Sequence, residues 1–249
     1  MVSLGSDQRV EDIRLAGRVR VALFPSFLYT KDPVTGDLRG AGIEIARALA
    51  ARLGVEFLPV EYAAPPEVME HLKAGACDVA FLGIEPSRIT EVDFSPPFMQ
   101  VDWTYLVPGG SSIRSVADAD RPGVRIAVVR HHAMDFALSR ILKQAKPVWA
   151  ETPDGSFEVL RAGHADVQAG VRPALLEYSM RLPGSRVLED RYGANSVAMA
   201  VPTGHAKRLA YISDFVEEAK ASGLVQRAIE RAGLRGITVA PAGNFHARK

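Results

Sequence analysis

The sequence predicts an α/β protein built from two similar lobes, and three observations carry that prediction. Apolar runs of strand length alternate with stretches of helical period through two successive blocks of the chain. Each block contains the same signature, Leu72-Lys-Ala-Gly-Ala-Cys-Asp-Val79 and Leu160-Arg-Ala-Gly-His-Ala-Asp-Val167, in which a helix stops at glycine and a strand opens at aspartate. Between the blocks lies Pro108-Gly-Gly-Ser-Ser112, the most linker-like stretch in the middle of the chain. Strand–helix–strand alternation implies parallel sheets with right-handed crossovers.

The elements follow in order. Residues 17–24 alternate polar and apolar and then turn apolar, as a first strand does; turn chemistry follows at residues 31–37. Residues 42–53 form a helix whose stripe is Ile43, Ala46, Ala50 and Leu53, stopped by Gly54 as a left-handed cap. A strand at 55–62, a helix at 65–74 ended by Gly75, and a strand at 78–84 complete the first block. An extended run at 101–107 leads to the linker. The pattern then restarts with strands at 123–129, 147–150 and 166–171 and helices at 133–142, 156–162 and 173–181. Residues 186–188 are extended and 196–201 form one more strand. Helices at 207–220 and 224–232 are separated by Ser222-Gly223, and the polar tail from Gly236 is expected to fray.

Bulk properties exclude several classes. Hydrophobic content of 47% and charged content of 24% are those of a globular chain. A net charge of +1 offers no electrostatic footprint for nucleic acid or a membrane surface. No run of about 20 apolar residues exists, so no membrane insertion is expected. The single Cys77 excludes an intrachain disulfide and a cysteine-based metal site, and is expected as a buried small hydrophobe. No cofactor or metal is implied, since adjacent His131 and His132 lack a third ligand and rarely reach one ion together.

The most informative stretch runs from Asp78 to Phe98. Its strand breaks at Pro86, Arg88 stands just beyond, and Phe94-Ser-Pro-Pro-Phe98 follows six residues later. Ligands of open α/β sheets bind at that end of the strands. This segment, with the Gly42–Gly54 segment and the order of elements over about residues 15–233, resembles the family 3 extracellular solute-binding proteins, the substrate-capturing components of amino-acid-type ABC importers. The resemblance implies a two-lobed type II periplasmic-binding-protein fold with two crossover segments, near residues 106–110 and 195–198. Lobe 1 would hold residues 1–106 and 199–249, and lobe 2 residues 107–198, with the ligand bound between them and hinge closure over it.

The resemblance also implies site residues. Arg88 would grip a ligand carboxylate, since a guanidinium fork pairs bidentately with one. An aromatic after the first strand, Phe24, Phe27 or Tyr29, would pack on the ligand, although plain packing explains any one of them equally well. The loops after Leu82 and Val129 would line the site. Gly83 and Glu85 stand where the family usually has serine and threonine. Arg130-His-His-Ala133 replaces its Gly-Thr/Ser-Thr loop, and Val171, beside Gly170 and Arg172, replaces the acid that holds a ligand ammonium. With Arg88, Arg130, His131, His132 and Arg172 all cationic, a carboxylate without a charged amine is the expected ligand. An ion pair from Arg172 to Glu177 or Asp135 is the structural alternative.

The expected function is a non-enzymatic receptor of a periplasmic ABC importer. Its partners would be a small carboxylate or amino-acid-like solute and an importer permease, and it would act as a monomer. No signal peptide is legible in residues 1–8, so a cytoplasmic location is the alternative. A cyclohexadienyl-dehydratase-like enzyme with Glu85 as general acid, or a ligand-sensing domain, are the competing functions.

Overall fold

The computed structural model describes residues 8–24, 26–130 and 133–243. These residues divide into two compact units. The first runs to Gln100 and adds Ser196–Leu234 and the residues from Thr238; the second is Val101–Asn195 with Arg235–Ile237.

The first unit begins with α1 (Glu11–Leu15), β1 (Arg18–Leu23), a hairpin of two short strands, β2 (Thr30–Lys31) and β3 (Leu38–Arg39), and α2 (Ala41–Leu53). Then come β4 (Glu56–Glu61), α3 (Pro65–Lys73), β5 (Val79–Gly83), the single turn α4 (Pro86–Ile89) and the long strand β6 (Val92–Val107), which runs on into the second unit. The second unit contains β7 (Arg125–Val129), α5 (Ala133–Ile141), β8 (Lys146–Ala150), α6 (Pro153–Arg161), β9 (Val167–Val171), α7 (Arg172–Arg181) and β10 (Arg186–Val187). Strand β11 (Gly193–Pro202) returns the chain to the first unit, where α8 (Ala206–Ala221) and α9 (Leu224–Arg231) precede β12 (Ile237–Val239).

In the first unit β1 pairs in parallel with β4 and β5, and β11 runs antiparallel to β5. Ala80 and Leu82 point into a core with Val68, Met69 and Leu72 of α3, as the two-residue strand period requires. Helix α2 buries its expected stripe and also Ile45 and Leu49, because α9 covers a second side of it. In the second unit β7 is parallel to β8 and β9, and β9 is antiparallel to β6. Val167 and Ala169 share a core with Leu138 of α5. Leu106 packs on Phe157 and Leu160 of α6 and Leu175 of α7.

The repeated signature becomes the same device in both units. Gly75 and Gly163 adopt left-handed backbone (φ 71° and 74°) and let Ala76 and His164 N–H groups cap the preceding helices at His71 and Val159 carbonyls. The aspartate that follows clamps the neighbouring strand. Asp78 accepts the backbone N–H of Arg20 at 2.8 Å and its guanidinium at 2.8 and 3.1 Å. Asp166 does the same for Arg125, at 2.8, 2.9 and 3.2 Å. The two clamps differ in cover. Arg208 of α8 lies over Asp78 and also pairs with Asp12, leaving the Asp78 side chain 6% exposed against 38% for Asp166.

Three expectations are corrected. Residues 236–240 of the tail are not frayed: β12 pairs with β6, and Ala240 donates to the Phe98 carbonyl at 3.1 Å. The β-branched Ile237-Thr-Val239 suits a strand, and Lys220 pins the segment beyond it by donating to the Pro97 and Pro241 carbonyls. The extended path that the two prolines impose on Phe94–Phe98 and the extended run at 101–107 are not separate: both belong to one strand, β6, which starts at Val92 and passes through Pro96-Pro97. There the Ser95 hydroxyl accepts the Met199 N–H at 3.1 Å. The third, at Arg172, belongs with the site below. Cys77 is fully buried 3.1 Å from the Tyr62 hydroxyl, and burial pushes its thiol pKa up.

Removing the Asp78 charge with Asp78→Asn leaves two guanidiniums facing it without their shared carboxylate, and is expected to cost about 3 kcal/mol or more in urea unfolding. Asp166→Asn is expected to cost less, since its clamp is open to solvent. The Arg125 hydrogen bonds outweigh burial and hold the Asp166 carboxyl below its ordinary range. A lowered native pKa stabilises fully above the unfolded value and fades as pH falls through the native one. The stability gap between wild type and Asp166→Asn should therefore be constant near neutrality and shrink below about pH 4.

Candidate functional site

Strand β5 ends at Gly83, and the chain then turns on a prescribed path. Glu85 is extended (φ −128°, ψ 146°), as the residue before a proline prefers, and Pro86 starts α4 at its first position. This turn brings the Arg88 side chain back over the strand end. Its Nη1 donates to the Gly83 carbonyl at 3.0 Å, and its Nη2 lies 3.4 Å from Glu85 Oε1. The Arg88 side chain is 19% exposed and Glu85 49%. The guanidinium is thus held from behind by a carbonyl while part of its five-donor fork stays available. A Cβ at Gly83 would stand 3.6 Å from Arg88 Nη1, an ordinary contact, so the approach of the arginine does not depend on the glycine.

The parallel pairing of β1 with β5 puts the loop after β1 at the same end of the sheet. Phe24 packs against the core around Leu82, and Tyr29 is buried, whereas Phe27 is 44% exposed. The loop is fixed to the start of α2 by the Leu28 carbonyl, which accepts the Gly42 N–H at 2.8 Å. Leu82 itself is fully buried among α3 side chains, so it can offer the site only its backbone.

In the second unit Arg130 follows β7. Its guanidinium lies 5.5 Å from the ring centre of Trp149, a cation–π distance, and its Nε is 3.9 Å from Glu151. His131 and His132 lie outside the described residues. Arg172 pairs with Asp102, not with Glu177 or Asp135. Its Nε donates to Asp102 at 3.3 Å, its Nη1 to the Leu188 carbonyl at 2.7 Å and its Nη2 to the Glu189 carbonyl at 2.8 Å. Gly236, in left-handed conformation (φ 76°), packs on the Arg172 stem, where a Cβ would come within 2.8 Å. Arg172 is therefore a structural clasp. The expectation of an amine-free anion rested partly on its charge, and that charge is answered by Asp102, which also takes Arg191 at 2.8 Å. Asp102 carried no local signal: its partners are 70 and 89 residues away. Among the described residues no group of three or more His, Cys, Asp and Glu side chains is placed to hold a metal ion.

Arg172→Ala is expected to lower stability by about 2–3 kcal/mol, because it strips partners from Asp102 and from two carbonyls. Chemical denaturation measures that cost, and ligand binding should survive it.

Comparisons with known proteins agree with this architecture. The family of bacterial extracellular solute-binding proteins, family 3, matches residues 19–233. The glutamine-binding protein of Geobacillus stearothermophilus is 25% identical over 166 residues, which are 65% of this chain and 63% of that protein's length. A solved ancestral cationic amino acid solute-binding protein superposes with a TM-score of 0.67 at 25% identity, covering 89% of this chain and 98% of its own. A solved ancestral cyclohexadienyl dehydratase reaches 0.65 at 26% identity, covering 93% and 98%. The family match spans both units, the clamps at Asp78 and Asp166, and the Arg88 turn: this chain belongs to the family 3 bacterial extracellular solute-binding proteins.

Proposed function

We propose that this protein is a receptor that captures a small carboxylate-bearing solute outside the cytoplasmic membrane and delivers it to the permease of an ABC importer, without chemistry on the solute. One observation carries the reading: Arg88 presents a mostly buried guanidinium at the C-terminal end of β5, backed by the Gly83 carbonyl. A carboxylate placed there gains charge-assisted hydrogen bonds in surroundings drier than bulk water, where they are strongest. The glutamine-binding and cationic amino acid-binding names of the relatives favour a solute of amino-acid size. Among the described residues no helix is long and apolar enough to cross a membrane.

A second reading, a dehydratase, has one observation in its favour, the ancestral dehydratase among the structural neighbours. It needs a carboxyl kept protonated by a desolvated pocket. Glu85 is half exposed and faces a guanidinium, which is the opposite setting.

Arg88→Ala should leave the melting temperature of the unliganded protein nearly unchanged and weaken carboxylate binding by about 10- to 100-fold. Thermal shift of both proteins against carboxylates, amino acids and polyols tests this, because a ligand of the native state raises the melting temperature by mass action. Equal shifts in the two proteins would place the ligand elsewhere. Turnover of prephenate by the wild type would favour the dehydratase.

A further inference from the structure

We propose that a groove at the base of the second unit, an opening of about 680 Å³ lined by Arg121, Arg125 and Arg161, is a second binding site and takes an acidic peptide segment of a partner protein. It lies at the N-terminal ends of β7 and β9, the opposite ends of those strands from Arg130 and Arg172. It goes beyond the receptor reading and does not depend on which solute Arg88 takes.

The argument is one of unused donors. The acceptors along the groove are taken up by the protein itself. Asp166 receives three bonds from Arg125, and Asp118 receives the Arg114 and Ser115 N–H groups at 3.0 Å each besides Arg121. The Ser111 and Ile113 carbonyls accept Arg186, and the Gly163 carbonyl accepts Arg125 at 2.9 Å. The donors are not exhausted in the same way. Arg125 binds through Nε and Nη2 and leaves Nη1 unpaired. Arg121 binds Asp118 through Nη2 alone, and Arg161 binds Glu158 through Nε and Nη2. Each guanidinium carries five N–H groups in a fork that matches a carboxylate. Three arginines against two aspartates line the groove, so a carboxylate-rich segment complements it in both charge and hydrogen bonding.

The internal repeat shows what such a base looks like when the chain covers it. In the first unit, Arg208 and Asp12 close over the matching clamp at Asp78. Among the described residues the second unit has no such cover, and its clamp faces the groove. Arg161 stands where the first unit has Lys73. Lys73 reaches Glu91, 18 residues further on, whereas Arg161 pairs with Glu158 one turn earlier on its own helix. Exposed pairs of that kind contribute little, so an incoming carboxylate can share the Arg161 guanidinium at small cost. Arg125 is already held in place by its clamp, and a donor fixed beforehand loses less freedom on binding. Pro108, Pro122 and Val124 put apolar surface between the charges, and the opening is far larger than a single ion. Both features favour a peptide over a free anion.

The test is fluorescence anisotropy of labelled hexaglutamate and hexalysine peptides, with unlabelled citrate as competitor, at low ionic strength. The wild type should bind hexaglutamate saturably and hexalysine not at all, with affinity falling as salt is added. The double variant Arg121→Ala/Arg161→Ala should weaken hexaglutamate about tenfold or more. Glu158→Gln, which releases Arg161 from its own helix, should tighten it. Arg140→Ala, an exposed arginine of the same unit outside the groove, and Arg88→Ala should both bind as the wild type does. Absence of saturable binding overturns the inference. So does a loss in Arg140→Ala equal to that in the double variant, which would mark attraction to the surface at large, or a Glu158→Gln that binds no tighter. Displacement by citrate at the concentration of the peptide itself would make this a small-anion site and overturn the peptide as its occupant.

Discussion

A carboxylate at the base of each lobe holds the strands on which everything else is mounted. Asp78 and Asp166 each accept one backbone N–H and a two-pronged guanidinium from the neighbouring strand. This fixes more than an ion pair. The backbone contact sets the register of β5 against β1 and of β9 against β7, so a slip by one residue would break it and turn every core side chain outward. Register at the base in turn fixes which residues emerge at the opposite end, where Gly83, Glu85 and Arg88 follow β5. The charge-bearing turn is positioned by a contact at the far end of the same strand.

Much of this was legible because it is local. Helix stops at Gly54, Gly75 and Gly163 depend on a conformation that glycine adopts without strain, and the alternation of β- and α-periods needs only a short window. The duplicated signature announced two related lobes for the same reason. What escaped was settled by distant partners. Asp102 and Arg172 meet across 70 residues, and nothing near either one distinguishes a clasp from a ligand anchor. Ile237-Thr-Val239 reads as a tail until a strand edge is available to it. Leu82 lies at the right strand end, but its parity sends it into the core. Arg88 could be singled out because its constraint is local: a proline two residues earlier and a strand end just before that.

The two lobes treat their arginines in opposite ways. In lobe 2, Arg172 is spent on the protein itself, joining the start of α7 to the 188–190 carbonyls and to Gly236. In lobe 1, Arg88 is only partly committed, to one carbonyl and one half-exposed acid. Counting cationic residues in a sequence cannot separate these cases, because a guanidinium has enough donors to do either. Whether a carboxylate partner is fixed by the fold or is itself exposed decides which arginine can answer a solute.

The late strand β12 has a consequence for how the chain is made. The Phe98 carbonyl waits for the Ala240 amide about 140 residues further along. During synthesis, that stretch of β6 presents an open edge, the kind of surface on which chains pair with their neighbours and aggregate. The Pro96-Pro97 step blunts that hazard, because prolines offer no amides to an intruding strand. The same diproline that keeps the chain extended through β6 thus serves as a gatekeeper until the C-terminal strand arrives.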